Sequence, residues 1–254
     1  MAGSTARRSP PRGAPRWDAP KVADLPVSSA IEPEDSDVAA ALINAAVLEM
    51  ATKGYAATSV RSIAALANVS IPALYHHFGS KHDLLAEIMS RGNAHLYEWA
   101  CEALAGAGPD PKDRLLALVT LFVERHLRSQ RESFLGTTEL RSLEPDARQR
   151  IVTMRDKTQR LFYEVVLEGA AAGVFTTPYP RDAARAVITM CTAVASWYRD
   201  GGALSKDDVV ERYRRICLDA VGYPEPGSLP AVAVSAAGSL RDDQQAATAT
   251  VKER

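Results

Sequence analysis

The stretch from residue 58 to residue 81 limits what this chain can become more than any other part of it. It holds two short apolar-periodic segments, each opened by a serine, with Ala67-Asn68-Val69 between them. Ser59 is placed to cap the first, whose inward residues Ile63 and Leu66 lie at helical spacing. Asn68 sits where a tight turn needs a residue that tolerates left-handed dihedrals. Ser70 is placed to cap the second segment, and Pro72 is acceptable there because first-turn N–H groups have no intrahelical acceptor. Leu74 and Phe78 point into a core, which leaves Ile71, Tyr75 and His76 outward. Gly79 stops this helix, and Ser80 caps another ahead of Leu84, Leu85 and Ile88. Two helices in this relation form the helix-turn-helix arrangement, whose second helix enters a DNA major groove.

Charge agrees with that reading. From Lys53 to His82 there are three cations (Lys53, Arg61, Lys81), three histidines (His76, His77, His82) and no Asp or Glu. A surface that approaches phosphates should lack carboxylates, because each one repels the backbone. The plainer alternative is a small three-helix core whose exposed face is merely polar. Caps, turn residue and missing acids favour the DNA reading together.

Over residues 54 to 85 the chain resembles the TetR family of transcriptional regulators, from Gly54-Tyr55 through Leu74-Tyr75-His76-His77-Phe78 to Ser80-Lys81. The resemblance implies an all-α protein: a three-helix DNA-binding domain followed by a larger helical domain for ligand binding and dimerisation. It implies a homodimer that holds a palindromic double-stranded operator and lets go when a small molecule binds. By the family pattern, Thr58, Arg61, Tyr75, His76 and Lys81 would hold phosphates, while Ser70, Ile71 and Pro72 would lie nearest the bases. Ile71 and Pro72 depart from what a groove floor usually offers, since neither side chain donates a hydrogen bond. Ile71 can still touch thymine methyls.

The 254 residues carry a formal net charge of -1, so any affinity for DNA must come from a local patch. Cys101, Cys191 and Cys217 form no CxxC pair, which fits a reducing compartment better than a disulfide or zinc scaffold. No apolar run approaches membrane-spanning length and no signal peptide is evident, so the chain is expected to be soluble and cytoplasmic, with no membrane contact. No metal, cofactor or catalytic constellation can be assembled; His126 alone on an apolar stripe reads first as a core histidine. An enzyme is therefore not expected.

Residues 1–34, rich in Pro and Arg, are expected to form a disordered arm, either inert or skimming DNA through Arg7, Arg8, Arg12 and Arg16. Residues 35–80 form the DNA-binding domain and 81–222 the larger domain; 223–254 read as a second disordered tail. Helices are expected over 81–105, from 111, over 131–140, over 145–172, over 181–200 and over 205–221. The last two are apolar on more than one side, so they either complete the monomer core or pair with their twofold copies as a four-helix bundle. Val194 and Val210 are the expected seam residues.

Trp197-Tyr198-Arg199-Asp200-Gly201-Gly202, followed by Leu204-Ser205, resembles the junction in the TetR branch that includes fatty-acid-degradation and cholesterol-catabolism repressors, which respond to acyl-CoA thioesters. Asp200 stands where that branch often has Pro. A helix end at the glycines and a cap at Ser205 would explain the motif equally well. An acyl effector needs an apolar channel, expected between the helices at 111–130, 145–172 and 181–200, with Phe122, His126, Met154 and Trp197 along it. Its phosphates need cations. Glu144–Arg148, Asp146–Arg150 and Asp156–Arg160 are expected to pair along a solvated face. That leaves Arg141, Arg155, Lys157, Arg185 and Arg199. A sensor of hydrophobic drugs that controls efflux is the alternative, and it fits less well because only 6% of the residues are aromatic.

Overall fold

Local signals set each helix in turn. The computed structural model describes residues 28–224, and among these all regular structure is helical. Helix α1 (Asp37–Lys53) is capped by Ser36 and closed at Gly54, whose φ of 84° suits glycine. Helix α2 (Val60–Leu66) opens on a reciprocal capping box between Ser59 and Ser62. Asn68 makes the turn at φ 56°, the one non-glycine residue with positive φ among those described. Helix α3 (Ile71–Phe78) is capped by Ser70 and ended by Gly79 at φ 67°. Ser80 then caps α4 (Lys81–Gly106), so only two residues separate α3 from a long helix. Helices α5 (Pro111–Arg128), α6 (Gln130–Thr138), α7 (Pro145–Ala171), α8 (Pro180–Trp197) and α9 (Lys206–Ala220) follow, with a 3-10 turn at Leu140–Ser142. The expected capping role of Ser205 is present as a second capping box with Asp208.

Two apolar clusters hold these helices. The first joins Leu42, Ile43 and Met50 of α1 to Ile63, Leu74 and the α4 residues Leu84, Leu85 and Ile88. It also contains Leu135 of α6 and Ala147 and Ile151 of α7. The expected domain break after residue 80 is therefore not a break in packing, because α6 and the start of α7 complete the core beneath the helix-turn-helix. The second cluster is built from α5, α7, α8 and α9 around Phe122 and Phe162, whose rings meet edge to face at 4.9 Å. Gly169 is required there, since a Cβ would stand 2.2 Å from the Phe175 ring.

Three expectations change. Helix α8 stops at Trp197, not residue 200, because Tyr198 turns extended and buries its ring. Val194 is fully buried within the single chain, alongside Cys191 and Cys217, whose sulfurs lie 3.9 Å apart. It is a core residue and not an available seam. Residues 28–34 do not belong to a free arm. Ser28 and Ala30 are buried, Ser28 N donates to Asn44 at 3.1 Å, and Arg91 joins the Ala30 carbonyl to Asp35 at 3.3 and 2.7 Å. Residues 1–27 and the tail from 225 lie outside the described residues.

Removal of residues 1–30 should therefore lower stability by about 2 kcal/mol, because several partly buried hydrogen bonds lose one partner. Urea denaturation of this truncation against one ending at residue 27 checks it. Equal midpoints would mean that residues 28–30 hold nothing together.

Candidate DNA interface and internal cavity

Helices α2 and α3 present Arg61, Ser70, Pro72, Tyr75, His76 and His77 to solvent, with Ile71 half-buried. Tyr75 is 51% exposed, unusual for a large ring with no partner across it. Arg61 has no carboxylate paired with it among the described residues, whereas Lys53 is held by Glu49 at 2.8 Å. Arg61 is thus the unneutralised cation on this face.

Two residues expected to hold phosphates are committed elsewhere. Thr58 is 2% exposed, and its hydroxyl donates to the Gly54 carbonyl at 2.9 Å. It stitches the end of α1 to the start of α2 and offers no side-chain donor outward. The Lys81 ammonium donates to the carbonyls of Tyr55 and Thr58 at 2.8 and 2.7 Å and lies 4.1 Å from the centre of the Tyr55 ring. Burial lowers its pKa, partly countered by Glu139. Lys81 braces the loop between α1 and α2 by holding two of its carbonyls, those of Tyr55 and Thr58.

Helices α4, α5, α6, α7 and α8 line a cavity of about 320 Å³ that is partly open to solvent. Its apolar wall includes Ile88, Met89, Leu96, Trp99, Phe122 and Ile188; its polar wall includes Asn93, Arg125, His126, Glu132, Arg155 and Gln159. Arg155 donates to Asn93 Oδ1 at 3.2 Å and to the Gly136 carbonyl at 3.0 Å. A Cβ at Gly136 would come within 3.2 Å of that guanidinium, so the glycine makes its seat. Arg125 lies 3.9 Å from the centre of the Trp99 ring. His126 Nδ1 donates to the Phe122 carbonyl at 2.7 Å. Burial pushes its pKa down to about 4, so the ring is neutral at pH 7 and Nε2 is left as an acceptor. Ser29 closes one side by donating its N–H and hydroxyl to Glu132.

Of the residues expected along an effector channel, Phe122, His126 and Arg155 meet in this cavity. Met154, half-buried on the same helix as Arg155, is not among the residues that line it. Trp197 and Arg199 are exposed at the end of α8, where Trp197 stacks on Tyr213 at 6.2 Å; the junction motif is a helix corner outside the cavity. Arg141 is exposed in a separate shallow depression with Arg148. Lys157 and Arg185 are exposed as well, and Arg185 donates to the Tyr163 hydroxyl at 3.3 Å. None of the three expected acid–base pairs on α7 closes as an ion pair among the described residues. Arg125, Asn93 and Ser29 were not foreseen, although Arg125 immediately precedes His126.

The family models for bacterial regulatory proteins of the tetR family and for the tetracyclin repressor-like C-terminal domain match residues 42–88 and 108–221. The HTH-type transcriptional repressor KstR2 of Rhodococcus jostii is 31% identical over 185 residues, covering 72% of this chain and 90% of that protein. The chain belongs to the TetR family of DNA-binding transcriptional regulators. A tetR-family regulatory protein from Rhodococcus RHA1 superposes with a TM-score of 0.70 at 30% identity, covering 75% of this chain and all of that one. AibR, solved with isovaleryl coenzyme A and operator DNA, shares the fold with a TM-score of 0.65 at 22% identity, over 75% of this chain and all of its own. Among the described residues of this TetR-family chain, no helix is long and apolar enough to cross a membrane.

Lys81→Ala should cost about 1.5–3 kcal/mol of stability, the usual loss for hydrogen bonds from a charged donor. Tyr75→Phe should leave stability unchanged and weaken DNA binding alone. Thermal melts of both variants check this. A Lys81→Ala protein as stable as the parent would return Lys81 to the role of a free phosphate contact.

Proposed function

We propose that this protein is a homodimeric repressor that holds a palindromic operator and releases it when an acyl-CoA thioester or a related lipid catabolite fills the cavity. The observation that carries the reading is the cavity's position against α4 and α6. Helix α4 supplies Ile88, Met89, Asn93, Leu96 and Trp99 to the wall, and its first residue lies three positions after the last residue of α3. Helix α6 lines the cavity with Ser133 and Gly136 while Leu135 packs into the cluster beneath the helix-turn-helix. An occupant that displaces either helix therefore pushes on the DNA-reading pair.

In this reading Arg61, Tyr75 and His76 hold phosphates, and Ser70, Ile71 and Pro72 approach base edges. Repression follows the relative named as a repressor, and the acyl-CoA class follows the resemblance at Trp197-Tyr198-Arg199. In this reading the acyl part occupies the cavity of about 320 Å³ and the CoA lies toward its opening. The second copy covers the outer face of α8 and α9. There Trp197 and Ile216 are 43% and 44% exposed, and Ala186 and Ala193 let helices approach closely.

Fluorescence anisotropy on operator DNA, selected with the protein itself, tests the reading. An acyl-CoA should release the DNA, and CoA or the free acid should do so far more weakly, because an effector acts only through its preference for the released state. Equal release by acid and thioester would remove the CoA reading and favour a sensor of hydrophobic compounds. Light scattering of Ile216→Glu should show monomer with operator binding lost; an intact dimer would place the interface elsewhere.

A further inference from the structure

The cavity is charged in a way an alkyl chain does not explain. Its titratable lining consists of Arg125, Arg155, His126 and Glu132. His126 is neutral, and the Glu132 carboxylate accepts from both the backbone and the hydroxyl of Ser29. Arg125 rests on the Trp99 ring, which offsets part of its charge. Arg155 has no such compensation. It is mostly buried, its two hydrogen bonds go to the neutral oxygens of Asn93 and Gly136, and no carboxylate of the described residues pairs with it. The lining thus carries two cations against one anion.

A guanidinium taken out of water without a counter-charge is costly, and neutral acceptors recover only part of the loss. Two of its five N–H groups are engaged and three are not. The fixed fork of a guanidinium suits a planar carboxylate, which can accept two parallel hydrogen bonds. Met89, Leu96, Phe122 and Ile188 complete the site with an apolar wall.

We propose that the cavity recognises a carboxylate carried on a small apolar body, with Arg155 as its counter-ion. This rests on the reading of the cavity as the effector site and narrows it. The carboxylate has two possible sources, a free organic acid or a thioester whose acyl chain ends in a second carboxylate. Occupation by an anion neutralises Arg155 and draws it toward the ligand, loading the contacts to Asn93 on α4 and Gly136 on α6.

Calorimetry with suberyl-CoA, octanoyl-CoA and octanoate tests the proposal on the full chain. Suberyl-CoA should bind at least about tenfold more tightly than octanoyl-CoA, as expected for a charge-assisted bidentate pair. Arg155→Gln should abolish that preference, and Arg155→Lys should keep part of it. Thermal melts without ligand establish that both variants fold, and if neither does, Gly136→Ala, which displaces the guanidinium, takes their place. Preference for suberyl-CoA supports the thioester source. Preference for octanoate keeps the carboxylate site and overturns the thioester reading. Octanoyl-CoA binding as tightly as suberyl-CoA overturns the carboxylate proposal and leaves the thioester reading standing. A preference indifferent to Arg155, or no binding of any of the three, also overturns the proposal.

Discussion

Helix α4 is one unbroken rod whose two halves are packed into different cores. Leu84, Leu85 and Ile88 anchor its first turns beneath the helix-turn-helix, and Ala100 and Leu104 anchor its last turns against α5 and its neighbours. Between those anchors it forms a cavity wall. Close-packed interiors resist gradual deformation, so a displacement at the middle of such a helix is transferred to its ends. Only Gly79 and Ser80 separate its start from α3. The fold therefore ties what happens in the cavity to where the recognition helix points.

Lys81 and Thr58 show how the DNA-reading unit is kept rigid enough for that linkage to matter. Both side chains turn inward onto the carbonyls of the α1–α2 connection. A loop braced in this way moves with α4, since Lys81 is the first residue of that helix. The outward polar groups that remain on α2 and α3 include Arg61, Ser70, Tyr75 and His76. Positive charge on this face is sparse, and the salt dependence of binding should be correspondingly modest.

The starts of the side-chain-capped helices were legible because they are written in adjacent residues, whereas α6, α7 and α8 open without such a cap and the end of α8 was missed. Ser59, Ser70, Ser80 and Ser205 all cap as their spacing implies, and Asn68 takes the left-handed turn. The cavity was legible only in part. Phe122 and His126 lie on a periodic stripe, and Arg155 was one of the few cations without an i,i+4 partner. Ser29 and Asn93 could not be foreseen, because they reach the site through contacts between residues 103 and 62 apart in sequence. Trp197 and Arg199, expected along the channel, stand outside this cavity. Their motif is conspicuous in the chain, but what it encodes locally is a helix corner, with Gly201 at φ 76° and Ser205 capping α9. The backbone hydrogen bonds of Thr58 and Lys81 were not legible, because a polar side chain near a reading helix serves the backbone as readily as it serves a phosphate.

The linkage through α4 is tested most directly by the distance between the two recognition helices. Spin labels at position 77, exposed on α3, would report it by double electron–electron resonance in the dimer, with operator DNA and then with the effector that releases it. The account predicts a spacing near one DNA turn, about 34–36 Å between helices, in the DNA-bound state, and a displaced distribution once the cavity is filled. Release of DNA with the distance distribution unchanged would contradict it.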